Sequence, residues 1–343
     1  MRELFEILNE NIKKHDEIII MTHARPDLDG MGSALAFSKI LTSMKKKNYI
    51  VYPKDKVYRS LEKAFKLLAE NAIEFDFKKE EEILNAKHNK PLLVILDTQK
   101  PELVESDKVL NLVDDKIVID HHIGSLDTID DTIYKYNDAN KSSIVEVMAE
   151  YLNYLKLDIE PLILTVLLSG MVVDTSSFNI KTTARTFEMA AYLARNGADF
   201  VLIQELLKEP REEMVKRYSF ISNSEEIVPD VLMCKMDDKI HGNVDIALLA
   251  KELLKFEDIK ASFAIGKLSD RIVGVSARSM GNVNVGEIMK RIGGGGHLTD
   301  AGAQIKDKSI GEVESELKKV IKEVIEWELY YLKMLKNKEK KMI

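Results

Sequence analysis

The sequence predicts an α/β protein of two domains, a first with a mainly parallel sheet flanked by helices and a smaller second with a mixed sheet. Short apolar runs typical of buried parallel strands alternate with stretches of helical spacing up to about residue 222. The length of 343 residues exceeds what one ordinary core accommodates. Further along, two strand-like runs joined by Ser269-Asp270 predict a hairpin, and this antiparallel pair indicates a second sheet.

The composition is that of an ordinary globular protein, with 45% apolar and 31% charged residues. The formal net charge of −7 argues against binding long nucleic acid but allows a small nucleotide held through metal ions. The single Cys234 excludes an intrachain disulfide and fits a reducing compartment. Because no run is long and apolar enough to span a bilayer and no secretory pattern is present, we expect a cytoplasmic protein without a membrane partner.

The first domain is predicted to alternate helices with strands. An amphipathic pattern predicts helix 1–15, an isoleucine-rich run predicts strand 17–22, and Pro26 and Gly30 break the loop that follows. Ser142 or Ser143 supplies an N-cap, and Pro161 a favoured first residue, for two later helices. The other predicted elements are helix 31–47, strand 48–53, helix 59–70, a short element at 73–77, a helix start after 79, strand 92–96, helix 107–112, strand 116–119, and helices at 144–155, 161–174 and from 182 to about 222.

A polar, acidic stretch at residues 223–230 is the predicted linker between a first domain at 1–222 and a second at 231–343. The hydrophobic pattern restarts beyond it. The predicted elements of the second domain are strand 231–236, helix 245–255, strands 259–268 and 271–278, a glycine run at 293–296 and a long helix from about 311.

Ionisable side chains follow four apolar runs of the first domain. Such runs are typical of buried strands, although Pro161 favours a helix for the fourth. In α/β folds, ligands bind beyond the carboxyl ends of the strands, and solvated surface acids would not keep to this position. The residues are His23, Asp27 and Asp29 after the first run, Asp97 after the second, Asp120, His121 and His122 after the third, and Asp174 after the fourth.

Six of these residues make a candidate set of metal ligands, with four carboxylates, two imidazoles and no thiolate. This mixture suits Mn²⁺, and next Mg²⁺ or Fe²⁺, better than a structural zinc ion. Because the donors are too many for one open tetrahedral ion, we predict two ions that share a carboxylate and a water, and hydrolysis of a phosphate ester. The alternative for the first two acids is that they cap the following helix. The six are His23, Asp27, Asp29, Asp97, His121 and Asp174.

Three further residues are predicted to act beside the ions. Adjacent side chains on extended backbone diverge, so His122 is predicted either to support a metal ligand without binding the ion or to contact the substrate phosphate. Asp120 is predicted to orient an imidazole through its second nitrogen, and we group both with Asp97 as catalytic residues. Ser143 either caps its helix or joins the free N–H groups of that helix in binding an anion of the substrate.

The glycine run Gly293-Gly294-Gly295-Gly296, followed by His297, is a second candidate binding element. Plain turns also contain consecutive glycines, so the run alone is weak support for a site. Residues 298–301 are compatible with a helix, which would make the run a phosphate cradle at a helix start. Arg278, at the end of a predicted strand, would add a guanidinium fork for a phosphate.

Taken together and in this order, these motifs resemble those of the DHH phosphoesterase family with its DHH-associated C-terminal domain. The motifs are His23-x-x-x-Asp27-x-Asp29, Leu96-Asp97-Thr98, Asp120-His121-His122, Asp174-Thr175 and Gly294-Gly295-Gly296-His297. Residues 96–101, 170–178, 184–188 and 293–299 are most similar to the catalytic portion of the bacterial cyclic-di-AMP phosphodiesterases. Because the membrane-anchored members carry further domains that this sequence lacks, the resemblance implies a stand-alone soluble form.

The resemblance also implies roles for individual residues. One Mn²⁺ would be held by His23, Asp27 and Asp97, and the other by Asp29, Asp97, His121 and Asp174. His122 would touch the scissile phosphate, in a cleft between the two domains. The rest of the nucleotide would be bound by Gly294, Gly295, Gly296, His297 and Arg278. The implied activity is opening of cyclic-di-AMP to pApA, with further hydrolysis to AMP, by a homodimer.

Other activities are compatible with parts of this pattern. A nano-RNase that acts on short oligoribonucleotides and removes phosphate from 3′-phosphoadenosine 5′-phosphate would use the same motifs equally well. A long-strand exonuclease of the RecJ type is disfavoured by the acidic charge, and a pyrophosphatase by the glycine-rich histidine loop. A nucleotide sensor without turnover would be expected to lack a ligand, whereas every position is filled here.

Overall fold

The computed structural model of the chain describes residues 1–122, 127–296 and 298–339, with side chains up to Ile325. The chain forms two compact units that divide between Lys208 and Glu209. The predicted substrate residue His297 lies outside the described residues. Among the described helices, none combines the length and the apolar character needed to cross a membrane.

The first unit is built on a six-stranded sheet in which neighbouring strands are parallel. Its strands are β1 (Glu17–Met21), β2 (Lys47–Val51), β3 (Phe77–Lys78), β4 (Pro91–Leu96), β5 (Lys116–Asp120) and β6 (Tyr134–Asn137). Their order across the sheet is β3-β2-β1-β4-β5-β6, so the order reverses between β1 and β4. In doubly wound sheets, such a switch point opens a crevice at the carboxyl ends of the strands.

Nine described helices belong to this unit, and the predicted α/β class with a mainly parallel sheet is confirmed. All five residues of β1 and five of the six of β4 are buried, which is why their sequences are continuous apolar runs rather than alternating ones. The helices are α1 (Arg2–Lys14), α2 (Leu28–Ser43), α3 (Arg59–Glu70), α4 (Glu80–Leu84), α5 (Asp107–Leu112), α6 (Ile144–Leu155), α7 (Pro161–Asp174), α8 (Ala184–Arg195) and α9 (Phe200–Leu207), with a 3-10 helix at Pro101–Leu103.

The apolar run before Asp174 is the helix α7. Pro161 lies in its first turn, and all residues from Ile163 to Val172 are buried. A helix that is apolar on every side belongs in a core, between other elements. Asp174 is therefore the last residue of a buried helix that ends at the sheet edge, whereas Asp97 directly follows a strand.

The helix α2 begins at Leu28, earlier than the predicted residue 31. Asp27 is its N-cap, and Oδ1 of this residue accepts the backbone N–H groups of Asp29 (2.9 Å) and Gly30 (3.1 Å). The capping alternative is therefore realised for Asp27. Asp29 lies inside the first turn, where its position is fixed by the helix rather than by a loop.

The second unit contains a mixed sheet, as predicted. Its elements are α10 (Arg211–Ile221), β7 (Glu225–Val228), β8 (Val231–Ile240), α11 (Asn243–Leu253), β9 (Ala261–Ser269), β10 (Ile272–Ser279), α12 (Val285–Arg291), β11 (Gly295–Gly296), β12 (Asp300–Lys306) and α13 (Ile310–Glu339). The order is β11-β12-β10-β9-β8-β7, in which only β8 and β9 are parallel among the described strands. The predicted hairpin of β9 and β10 is confirmed.

The structure corrects the helix predicted behind the glycine run. Residues from Asp300 onward form β12, which pairs antiparallel with β10. Burial of Ala301, Ala303 and Ile305 alternates with exposure, which is the period of a strand. The glycines therefore lie between a helix end and a strand, and a phosphate cradle at a helix start is wrong.

The structure also differs from the predicted linker at 223–230. Within that stretch, Glu225–Val228 form β7, which pairs with β8. The units divide before α10, at Lys208. The charged sequence looked like a linker because β7 is a largely exposed edge strand, with no buried apolar face to give a pattern.

Candidate metal centre

The predicted metal ligands converge at the carboxyl edge of the first unit's sheet, beside the switch point. β1, β4, β5 and α7 all end at this edge, and α2 begins there. Parallel strands end at a common edge, so residues distant in sequence meet in space. The structure brings the six predicted ligands together in two groups whose ligand atoms lie within 4.8 Å of one another, His23, Asp27 and Asp97 in one, and Asp29, His121 and Asp174 in the other. By the same measure, Asp97 and His121 also form a group with His122.

Asp97 lies between the two groups. Its Oδ2 is 3.4 Å from Nε2 of His23, and its Oδ1 is 3.3 Å from Nε2 of His121. The same nitrogen of His121 is 3.2 Å from Oδ2 of Asp174 and 3.5 Å from Oδ2 of Asp29. Among the six predicted ligands, Asp97 is thus the one whose two oxygens face both groups.

The backbone of Asp97 turns its carboxylate into the cluster. Its φ is +68°, in the left-handed region, directly after the last residue of β4. Its N–H still donates to the carbonyl oxygen of Ile119 on β5, at 2.9 Å. Aspartate and asparagine tolerate this conformation better than other residues with side chains. Such strain at a strand end is typical of functional positions.

The two imidazoles of the groups are held through Nδ1. His23 donates Nδ1–H to the carbonyl oxygen of Ala24 (2.9 Å), and His121 donates its own to the carbonyl oxygen of Lys141 (3.3 Å). These bonds fix the tautomer and turn Nε2 of each ring toward the carboxylates. Metal-binding histidines are commonly oriented in this way.

His122 diverges from its neighbour, as expected for adjacent residues. Its side chain is 53% exposed, whereas that of His121 is 1% exposed. Nδ1 of His122 donates to Oδ1 of the buried Asp120 at 2.8 Å. The imidazole that Asp120 orients is therefore that of His122.

The groups have the character of a cation site. Nε2 of His121 and Oδ1 of Asp97 are buried and, in the described part of the chain, have no hydrogen-bond partner. With Nδ1 of His121 as the donor, Nε2 is an acceptor, so it faces three carboxylates across 3.2 to 3.5 Å. Acceptors this close repel unless a proton or a metal ion lies between them. The donors, oxygen and imidazole, fit divalent ions such as Mn²⁺.

Protonation shows how strongly this site attracts positive charge. Although burial opposes the charged ring, the carboxylates of Asp174, Asp97 and Asp29 raise the pKa of His121 to about 12. Burial likewise opposes the charge of His23, but chiefly Asp97 raises its pKa to about 10. Burial and the neighbouring acids raise the pKa of Asp29 as well. The same arrangement of acids that favours protonation of these rings would favour a bound cation.

We expect metal binding to release protons and to strengthen with rising pH. Mn²⁺ needs the unprotonated Nε2 of His23 and His121, whose pKa values of about 10 and about 12 leave both rings charged at pH 7. Binding should then release at least about two protons, and more if Asp29 is also protonated. Titration calorimetry in buffers of different ionisation enthalpy measures this number. Proton release near zero, or an affinity that is independent of pH, would contradict the assignment.

The stability of the metal-free protein should decrease as the pH rises, whereas the affinity for the metal ion increases. Since folding raises the pKa of His23 from 6.5 to about 10, this ring contributes stability below pH 6.5 that is lost as the pH rises toward 10. Thermal unfolding of the metal-free protein across this range tests the sign.

The structure places Ser143 away from solvent. Its side chain is fully buried, and its Oγ accepts the N–H of Glu146 as the N-cap of α6. The first N–H groups of the helix, those of Ile144 and Val145, donate to the two oxygens of Asp29, both at 2.9 Å. The anion at this helix start is thus Asp29 itself, and the placement favours capping over the predicted substrate contact.

Four of the predicted substrate residues of the second unit line a cavity of about 490 Å³, namely Arg278, Gly294, Gly295 and Gly296. Arg278 borders it, with Nε 2.8 Å from Asp300 and Nη1 3.1 Å from the Oγ of Ser276. Gly294 and Gly296 approach β12 closely, since a Cβ on either would lie within 2.5 Å of its atoms. Gly295, between them, would meet nothing within 4 Å.

Sequence reasoning missed the residues that hold the ligands. The Lys141 carbonyl orients His121, but every residue carries a carbonyl, so no residue type signals this role. Glu146 and Glu150 read as ordinary acidic positions of a helix, although both are buried. A charged residue on the apolar side of a helix is the signal that would have pointed to them.

The fold and these donors define a class, that of α/β proteins with a candidate site for divalent metal ions at the switch point of a parallel sheet. Comparison with known proteins is more specific. Residues 17–171 match the N-terminal domain of the DHH family, and residues 229–328 match the DHHA1 domain. The chain belongs to the DHH family, and the resemblance inferred from its motifs is confirmed.

Individual relatives differ in how much of their length the chain matches. The cyclic-di-AMP phosphodiesterase GdpP of Geobacillus thermodenitrificans is 38% identical over 332 residues, 95% of this chain and 50% of GdpP. The chain thus spans about half the length of this relative. The bifunctional oligoribonuclease and PAP phosphatase NrnA of Mycoplasma genitalium is 25% identical over 321 residues, 90% of this chain and 96% of NrnA.

A solved structure supports the fold. The crystal structure of an exopolyphosphatase-related protein from Bacteroides fragilis superposes with a TM-score of 0.78. It covers 94% of this chain and 96% of its own, at 18% sequence identity. At this identity the similarity establishes the architecture alone.

Proposed function

We propose that this chain is a phosphodiesterase that uses two divalent metal ions, Mn²⁺ foremost, to open cyclic-di-AMP to pApA. The observation that carries the proposal is the position of Asp97, whose two oxygens lie 3.4 Å and 3.3 Å from the imidazoles of His23 and His121. A carboxylate between two groups of donors is what a bridging ligand requires. The similarity to GdpP supports the choice of substrate.

The chain's own residues account for the remaining parts of the reaction. When bound, the ions would lower the pKa of a shared water and neutralise charge on the phosphate. Although burial opposes it, chiefly Asp120 raises the pKa of His122, which favours the charged imidazolium. When protonated, this exposed ring would donate a hydrogen bond from Nε2 to a phosphate oxygen and stabilise the charge that develops there.

The cavity of the second unit is proposed to bind the nucleotide through Arg278, Gly294, Gly295, Gly296 and His297. A guanidinium suits phosphate because its N–H groups form a planar fork. The backbone of Gly295 is open to an approaching ligand, because a Cβ built on this residue would meet no described atom within 4 Å.

Replacing Arg278 by methionine should raise KM for the nucleotide by about tenfold to a hundredfold while kcat changes little, since a charged hydrogen bond is worth roughly 1.5–3 kcal/mol. Steady-state kinetics on the full chain measure both constants. Arg271→Met is the matched control, because Arg271 lies beside the same strand but is 79% exposed and pairs with Asp307. An unchanged KM in the Arg278 variant would remove this residue from the substrate site.

The proposed activity is tested by separating products after incubation with Mn²⁺. Cyclic-di-AMP, pApA and 3′-phosphoadenosine 5′-phosphate are offered in separate reactions, and Mg²⁺ and Fe²⁺ replace Mn²⁺ in parallel. We expect pApA from the cyclic substrate, with AMP as a later product. Cleavage of pApA without attack on the cyclic form would contradict the proposal.

The second candidate is a nano-RNase with phosphatase activity on 3′-phosphoadenosine 5′-phosphate. The observation that favours it is the match to NrnA, which extends over 96% of that protein. The same metal groups would serve it, so the substrate comparison decides. A nucleotide sensor is disfavoured because no proposed ligand is missing, and binding without product after prolonged incubation would support it.

A further inference from the structure

A buried ionic network lies beside the metal groups. Nζ of Lys141 is 2.9 Å from Oε1 of Glu146 and 2.6 Å from Oε1 of Glu150. The guanidinium of Arg185, on α8, is 2.8 Å from the other oxygen of Glu150 and 2.7 Å from Glu188. The Glu146 and Glu150 side chains are 1% and 6% exposed. Charges this deeply buried are tolerated only when paired, so the paired residues act as a unit. This unit, called here the ionic network, consists of Lys141, Glu146, Glu150 and Arg185.

The ionic network holds the segment that leads into α6. Oε2 of Glu146 accepts the hydroxyl groups of Ser142 (2.8 Å) and Thr186 (2.9 Å) and, at 3.3 Å, the N–H of Ser142. Together with its bond to Lys141, Glu146 therefore binds both residues that precede the N-cap of the helix. A side chain that satisfies several buried partners at once fixes their positions strongly.

The backbone of this same segment contacts two of the proposed metal ligands. The carbonyl oxygen of Lys141 accepts Nδ1–H of His121. The N–H groups of Ile144 and Val145 hold Asp29. Both ligands belong to the group of Asp29, His121 and Asp174, whereas His23 is oriented by the carbonyl oxygen of its own neighbour.

We propose that the ionic network positions the ligands of one of the two metal ions, the ion held by Asp29, His121 and Asp174. Glu146 and Glu150 are positioning residues, since they act through the backbone of residues 141–145. The inference rests on the metal site proposed above. It implies that charges outside the site set the affinity for one ion and leave the other unaffected.

The test is a Mn²⁺ titration of the full-length Glu146→Gln and Glu150→Gln variants, followed by calorimetry and by electron paramagnetic resonance. Glutamine keeps the volume but removes the charge that pairs with Lys141. We expect one ion to bind as in the unchanged protein and the second to bind about tenfold to a hundredfold more weakly, as for residues that orient metal ligands. The spectrum should change from that of a coupled pair to that of a single ion.

The matched control is Glu188→Gln, because Glu188 pairs with the same Arg185 but is 60% exposed. Both ions should bind to it normally. If Glu146→Gln does not fold, Arg185→Met, at a side chain that is 42% exposed, should show a smaller loss at the same ion.

Three results would separate the possible errors. If the glutamine variants bind both ions with the same affinities as the unchanged protein, the inference is overturned. Equal weakening of both ions, together with a lowered unfolding temperature, would also overturn it, since the ionic network would then be structural only. Failure of the unchanged protein to bind Mn²⁺ would instead overturn the proposed function.

Discussion

Replacing Asp97 by asparagine should reduce turnover by about a thousandfold or more, since the one carboxylate that faces both groups would lose its charge and one of its two ligand oxygens. Asparagine is the informative replacement because it also tolerates the left-handed backbone of this position, at φ +68°. A loss of activity would then report the missing oxygen and charge rather than relief of backbone strain. Alanine should be at least as inactive.

The measurement is single-turnover hydrolysis with Mn²⁺ in excess, together with a Mn²⁺ titration. Glu102→Gln is a suitable control, because Glu102 lies exposed in the 3-10 helix that follows the same strand. The control should retain full activity. Turnover near that of the unchanged protein in Asp97→Asn would show that the two groups are not bridged by Asp97, and the two-metal proposal would fall.

Replacing Gly170 by alanine should destabilise the protein by at least about 1–3 kcal/mol and abolish most of its activity. A Cβ at this position of α7 would lie 2.5 Å from the carbonyl oxygen of Leu28 and 2.7 Å from Cα of Asp29, both backbone atoms of α2. The two helices must therefore move apart. Because α2 carries Asp29 and α7 ends in Asp174, the same movement separates two proposed ligands of one ion.

The same interface supplies a graded control. A Cβ on Gly32, in α2, would be 3.2 Å from the carbonyl oxygen of Val166 in α7, a contact that a small adjustment relieves. Gly311 in α13 has nothing within 4 Å of its added Cβ. Denaturant unfolding should give a free energy of unfolding that is far lower for Gly170→Ala than for Gly32→Ala. The value for Gly311→Ala should be near that of the unchanged protein. Equal stability of the first two would contradict the close packing of α2 and α7.

Local sequence was sufficient for the elements whose pattern is strong. α3 and α6 have the predicted boundaries, because an amphipathic period and a serine cap act within a few residues. The strands β4 and β5 were recognisable as continuous apolar runs. Elements without such a pattern were missed. β6 is a half-buried edge strand, and β12 uses small residues, so neither presents a run that differs from a loop.

The candidate site was predictable to a similar degree. The sequence predicted the six candidate ligands that the structure brings together, because each follows an apolar run, a relation between neighbours in the chain. It did not reveal that Asp27 both caps α2 and lies 4.0 Å from Nε2 of His23, since the two roles depend on where the helix begins. It also left open whether Ser143 caps its helix or joins the N–H groups of that helix in binding the substrate, whereas in the structure those N–H groups already bind Asp29.

The sequence by itself determined the α/β class, the mainly parallel character of the first sheet and the residue types that gather at its edge. These follow from hydrophobic period and from the rule that parallel strands end together, both of which are properties of short segments. Only the tertiary structure decided which carboxylate faces both groups and that the carbonyl oxygen of Lys141 orients the ring of His121. These features depend on contacts between residues 20 or more positions apart, which no local pattern encodes.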